Sequence, residues 1–163
     1  MNARLAVALH LFAGYCHCRG LNYPDIDQYI EHMWGFITLS LPEGGGGFDA
    51  WEKSRPELVD SGMGWNLLER VADHLAERRV NEAEFHSALM NCTEVLYGSL
   101  FGVAEDAASR NYVSKLADAA TQVGAAWPDL ATFESSKWAV RTWGNPLTVV
   151  EMARWRDADK NHS

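Results

Sequence analysis

The chain has 163 residues, 47% of them hydrophobic, and a formal net charge of −8 with an isoelectric point near 5.1. That length fits a single domain over residues 1–163, with enough apolar material for a core without metal or disulfide staples. The charge argues against nucleic acid and anionic membrane as direct partners, because both need clustered Lys and Arg.

The three cysteines, Cys16, Cys18 and Cys92, are an odd number and point to a reducing compartment. Arg4 followed by Leu5–Leu9 has the flavour of an export signal. His10 interrupts the run, no small-x-small cleavage site follows, and the run is too short to span a bilayer. A cytoplasmic protein is expected.

Asn2–Arg19 reads as the first helix, with Asn2 as cap and Gly20 as stop. Leu5, Ala8, Leu9, Phe12 and Cys16 form one stripe, and Val7 and Leu11 widen it, so burial on more than one side is expected. Pro24 opens the second helix, and Asp25 and Asp27 sit at the positive end of its dipole. Its buried stripe is Ile26, Tyr29, Ile30, Met33, Trp34 and Ile37, and Pro42 marks the end. Four consecutive glycines then disfavour regular structure, which predicts a flexible loop over 43–48. It is not a phosphate loop, because no Gly-Lys-Ser/Thr follows. Short helical pieces broken near Pro56 come next.

Trp65–Arg79 reads as an amphipathic helix with Leu68, Val71, Ala72 and Leu75 inside. The following stretch, Asn81–Gly102, has the strongest stripe in the chain: Phe85, Ala88, Leu89, Cys92, Val95, Leu96 and Leu100. Asn81 and Glu84 have the spacing of a capping box. The opposite face carries Glu82, His86, Asn91, Glu94 and Tyr97, and no Lys or Arg occurs between Arg79 and Arg110. A helix is expected over Glu105–Ala126, a short one from Pro128, and a last one started by Asn145-Pro146, with a frayed tail after residue 156. No alternating strand pattern appears. The fold class expected is all-α, a bundle of about six or seven helices.

Cys16-His17-Cys18 offers metal-ligand chemistry, and His10 shares a helical face with His17. Neighbours one and two apart on a helix point in different directions, so the three could not converge without unwinding. There is no HExxH and no Glu-x-x-His, and Gly98-Ser99-Leu100-Phe101-Gly102 is not a nucleophile elbow. No metal, cofactor or catalytic residue is assigned. The remaining enzymatic or ligand-binding alternative rests on His10, His17 and the cysteines.

The charge distribution is the stronger signal. From Asn22 to Asp60, eight carboxylates stand against Lys53 and Arg55, a net of −6. Tyr23, Tyr29, Phe48 and Trp51 are interleaved with them. Lys137–Lys160 carries a net of +2. Acids beside aromatics suit a protein-binding surface, since charge steers the encounter and desolvated rings supply affinity. The candidate residues are Asp49, Trp51, Glu52 and Glu57, flanked by Asp25, Asp27 and Glu31.

In whole-chain character, above all the stretch NYPDIDQYIEHMW…EGGGGFDAWEKSRPELVD, the protein resembles the small acidic helical immunity proteins of bacterial toxin–immunity pairs. The resemblance implies a stoichiometric inhibitor whose carboxylates replace substrate phosphates in the active site of a cognate basic toxin. It carries over no individual residue. A homodimer, or self-association through exposed rings, is the further possibility.

Overall fold

The computed structural model describes residues 2–39, 46–101, 106–136 and 148–158. Within them the chain is all-helical, a compact bundle with no strand. The helices are α1 (Asn2–Cys18), α2 (Pro24–Thr38), α3 (Gly46–Lys53), α4 (Glu57–Gly62), α5 (Glu69–Glu77), α6 (Glu82–Phe101), α7 (Asp106–Gln122) and α8 (Val149–Arg156). A 3-10 segment, Leu130–Ser136, precedes α8.

The central element is α1. Every residue from Leu5 to Phe12 is buried, as expected for a helix apolar around most of its circumference. It packs against α2, α6, α7, α8 and the 3-10 segment. Its end is a Schellman closure: Leu21 N–H donates to the Cys16 carbonyl at 2.8 Å and Gly20 N–H to His17 at 3.0 Å. Gly20 takes the left-handed conformation (φ 67°) that this closure demands. α5 ends the same way, with Val80 N–H on Leu75 and Arg79 N–H on Ala76. There the left-handed position falls on Arg79 (φ 57°), a residue with a Cβ and a steric cost.

α6 is buried on two faces rather than one. Its stripe, Phe85, Ala88, Leu89, Cys92, Val95 and Leu96, lies in the core, and α6 packs against α1 and α7. Part of the face expected to be solvated is covered: Tyr97 is buried against Trp51 and Glu52 of α3, and the half-buried His86 shares a 2.8 Å hydrogen bond with the Ser61 carbonyl of α4, against which the buried Thr93 also packs. The uncompensated acidic face is therefore reduced to its first turn and Glu94. Even there, Glu84 reaches Arg19 at 3.2 Å instead of returning to Asn81. Only half of the expected capping box forms, with Glu84 N–H donating to Asn81 Oδ1 at 3.1 Å.

Gly62, the last residue of α4, sets the α4–α6 approach. A Cβ there would overlap the Thr93 hydroxyl and lie 2.9 Å from Thr93 Cβ.

Other boundaries shift for local reasons. Residues 65–68 are not helical, and α5 starts at Glu69 after an extended Leu68 (ψ 132°). Trp65 N–H is drawn back to the Asp60 carbonyl at 3.2 Å, and Ser61 Oγ donates to the Asn66 carbonyl at 3.0 Å. These bonds close off α4 and hold the next four residues outside a helix. α8 is started by Thr148, whose side chain accepts from Glu151 N–H (3.2 Å) while the Glu151 carboxylate accepts from Thr148 N–H (2.9 Å), a complete capping box. Asn145-Pro146 lies outside the described residues, as do Pro42, residues 43–45 of the glycine loop, Trp138, Trp143, and 159–163 of the tail. Of the loop expected over 43–48, residues 46–48 belong to α3. Of the tail expected to fray after 156, Ala158 is fully buried and its carbonyl accepts from Asp129 N–H at 3.5 Å.

Candidate functional site

The expected acidic surface is partly answered: Arg70 and Arg156, from elsewhere in the chain, meet three of its eight carboxylates, and Arg55, within the stretch, meets two more. Arg70 of α5 donates to Asp25 at 2.6 and 3.0 Å and to Glu57 at 2.7 Å. One guanidinium thus ties the first turns of α2, α4 and α5 together, and the two carboxylates push its pKa up. Arg156 of α8 reaches both oxygens of Glu31 at 3.0 and 2.9 Å and also lies over the Trp34 ring, 5.4 Å from its centre. The basic end of the chain therefore neutralises part of the acidic stretch. Arg55 pairs with Glu52 at 2.6 Å and with Asp60 at 3.0 Å. Asp27 and Asp49 are exposed and have no cation at ion-pairing distance among the described residues. The pairs do not cancel completely. Arg55 and Arg70 each serve two carboxylates, so both groups keep a net charge of −1.

Trp51, expected as a binding anchor, is only 7% exposed. Its Nε1–H donates to the His32 carbonyl at 2.7 Å, and its ring stacks on the His32 imidazole with centres 4.4 Å apart. Phe36, Phe48 and Tyr97 surround it. It seats α3 on α2 and has no free face for a partner. The adjoining polar network is also internal. Tyr97 donates to Glu52 at 3.2 Å, and His32 Nε2 lies 3.3 Å from the same hydroxyl. Burial, then the Arg55 cation, holds His32 down to about 4, so it is neutral at pH 7. Burial, reinforced by Glu52, pushes the Tyr97 hydroxyl well up.

The residues of the metal or nucleophile alternative are not brought together. His10 lies within the core, with Nε2 2.6 Å from the Trp155 carbonyl and Trp34 and Phe133 against its ring. Cys16 and Cys92 are buried near one another, and burial raises both thiols, Cys92 to about 12. Such thiols are poor nucleophiles. His17 and Cys18, next to Cys16 in the last turn of α1, are exposed to solvent. Among the described residues, no three His, Cys, Asp or Glu side chains are grouped as a metal-ligand set.

One surface does combine acids with an accessible indole, and it is centred one loop away from the expected one. Trp65 is 71% exposed. It borders a groove of about 510 Å³ with Glu57, Asp60, Met63 and Leu68. The indole is outside because residues 65–68 do not join α5, so the position never acquires an inward-facing register. Sequence periodicity put Trp65 in the first turn of a helix. The signal that could have found it is the pair Gly62 and Gly64, which stops α4 and leaves the next residues without a helical partner. Gly64 has φ 100°, which few other residues adopt.

No protein-family model matches the chain, and no curated protein or solved structure matches it either.

Proposed function

We propose that this is a binding protein that engages a basic protein partner through the groove between α4 and the 63–68 segment that follows it, in the manner of an immunity protein that covers a cognate bacterial toxin. The observation that carries this reading is the exposed Trp65 beside Glu57 and Asp60. An indole can bury a large apolar area at small entropic cost, and tryptophan is among the commonest interface anchors. Glu57 is 68% exposed and Asp60 44%, and each belongs to a group with one carboxylate in excess. A cation arriving from the partner can complete either group without stripping a buried charge of its counter-ion. Asp49 and Asp27 add long-range attraction and need not touch the partner.

The reading predicts a basic protein encoded beside this gene, and the test is co-purification and calorimetry with that protein; a neighbourhood without one counts against the reading. The expected result is a one-to-one complex whose association slows as salt is raised. Trp65→Ala should weaken it at least tenfold without shifting the melting temperature, and the double reversal Glu57→Lys with Asp60→Lys should mainly slow association. A complex formed equally well by both variants would place the contact elsewhere. Absence of any complex with that protein would count against the immunity reading itself.

A further inference from the structure

The groove at Trp65 selects among cations. Glu57 and Asp60 are three positions apart on α4, so their side chains leave the same face of the helix. Glu57 accepts from Arg70 on Oε2 at 2.7 Å, and Asp60 meets Arg55 through Oδ1 at 3.0 Å. An ionised carboxylate offers about four acceptor sites, so both keep capacity for a further donor. Trp65, Met63 and Leu68 form the apolar side of the same groove. Among the described residues, no cation lies over the exposed Trp65 ring.

The chain itself shows which side chain joins carboxylates to rings. Arg156 grips both oxygens of Glu31 and lies 5.4 Å from the centre of the Trp34 ring. Arg19 holds Glu84 at 3.2 Å and lies 5.9 Å from the centre of the Tyr15 ring. In both places one guanidinium spans a carboxylate and an aromatic face. At Trp65 the carboxylates and the indole share one groove. Arg55 lines it too, but its nitrogens are engaged by Glu52 at 2.6 Å and by Asp60, not by the ring. A guanidinium that spans Trp65 and these acids therefore has to come from another molecule.

An ammonium would serve less well. The lysine head is a compact, strongly hydrated charge. A guanidinium is planar and more weakly hydrated, donates from a rigid fork to two carboxylates at once, and stacks on an indole. Its aliphatic stem can lie along Met63 and Leu68.

We propose that the groove between α4 and the 63–68 segment receives an arginine side chain of the partner, with its guanidinium bonded to Glu57 and Asp60 and its flat face on Trp65. This inference rests on the protein-binding reading and names the residue that the partner presents.

The experiment titrates the full chain with acetyl-arginine amide and acetyl-lysine amide, two probes of equal charge, followed in proton–nitrogen NMR spectra. Acetyl-arginine amide should saturably shift the Trp65 indole N–H and the backbone amides of residues 60–68. It should bind roughly threefold or more tightly than acetyl-lysine amide. Trp65→Ala should weaken it roughly two- to fivefold, the contribution of a cation over an exposed ring. Glu57→Gln with Asp60→Asn should erase the preference for arginine. The comparison of the two probes needs no variant, so a variant that fails to fold does not shield the proposal. It is overturned if acetyl-arginine amide gives no saturable shift, if acetyl-lysine amide binds as well or better, or if the shifts centre on the exposed Asp27 and Asp49. A complex with the neighbouring basic protein, formed while the arginine probe fails, overturns this inference and leaves the protein-binding reading standing. Selective arginine binding without such a complex supports the inference and counts against the immunity reading alone.

Discussion

The contact between Gly62 and Thr93 gives the sharpest test of how this bundle is held. A Cβ at residue 62 would collide with the Thr93 hydroxyl and stand 2.9 Å from Thr93 Cβ and 3.2 Å from Cγ2. Real Cβ atoms essentially never come closer than 3.0 Å, so α4 must move or Thr93 must rotate. Rotation is restricted, because Thr93 Oγ1 donates to the Leu89 carbonyl and shares a bond with the Tyr29 hydroxyl, both at 2.9 Å. Overpacking of this kind costs about 1–3 kcal/mol, and the loss of a buried hydrogen bond about 1 more. Gly62 sits at the end of α4 with a negative φ, so an alanine there gains at most about 1 kcal/mol in helix propensity. Gly62→Ala should therefore destabilise the protein by about 2–3 kcal/mol. The assay is urea denaturation of Gly62→Ala, Thr93→Ala and the double variant. Thr93→Ala alone is itself destabilising, because it removes the Tyr29–Thr93 bond and leaves the buried Tyr29 hydroxyl only the Cys92 thiol. Removing the Thr93 branches also makes room for the new methyl, so the double variant should be more stable than the sum of the singles by about 1–2 kcal/mol. Simple additivity, or a stabilised Gly62→Ala, would refute the steric argument.

Two further perturbations probe the polar parts of the fold. His32 is held down to about 4 from an ordinary 6.5, so between those values the unfolded chain binds a proton that the folded protein refuses. Stability is then full above pH 6.5 and falls as the pH drops toward 4, by at most about 3 kcal/mol from this group. NMR titration of the His32 ring should show no protonation near pH 6.5, and a midpoint there would disprove the assignment. Thr148→Ala breaks the capping box that starts α8 and should cost about 1 kcal/mol. The loss should appear as faster amide exchange in Met152–Arg156. Unchanged exchange would mean that packing of Trp155, only 1% exposed, fixes this helix by itself.

Much of the architecture was legible without coordinates. The helical class, the burial of α1 around its circumference, the proline start of α2, the break at Pro56 and the apolar stripe of α6 all follow from local properties. Periodicity, proline's missing N–H and glycine's left-handed freedom each act within a few residues, so a linear chain displays them. The start of α5 was misplaced, because competing backbone bonds at 60–66 outweighed the periodic signal, and the Thr148–Glu151 box that caps α8 went unread.

The candidate surface was far less legible. The stretch around Asp25, Glu31, Glu52 and Glu57 is acidic by count, yet Arg70 reaches Asp25 from 45 positions away and Arg156 reaches Glu31 from 125. Trp51 was expected to anchor a partner, and its stacking on His32 seals it in. Trp65 was placed in the first turn of a helix, and it lies instead in the non-helical run before α5, in solvent. The sequence by itself determined which segments coil and which of their faces are apolar, because those are short-range consequences of side-chain shape and spacing. Only the tertiary structure decided which charges are answered and which rings face water. Coulombic pairing and burial depend on distances through space, and folding sets those between residues that the chain keeps far apart.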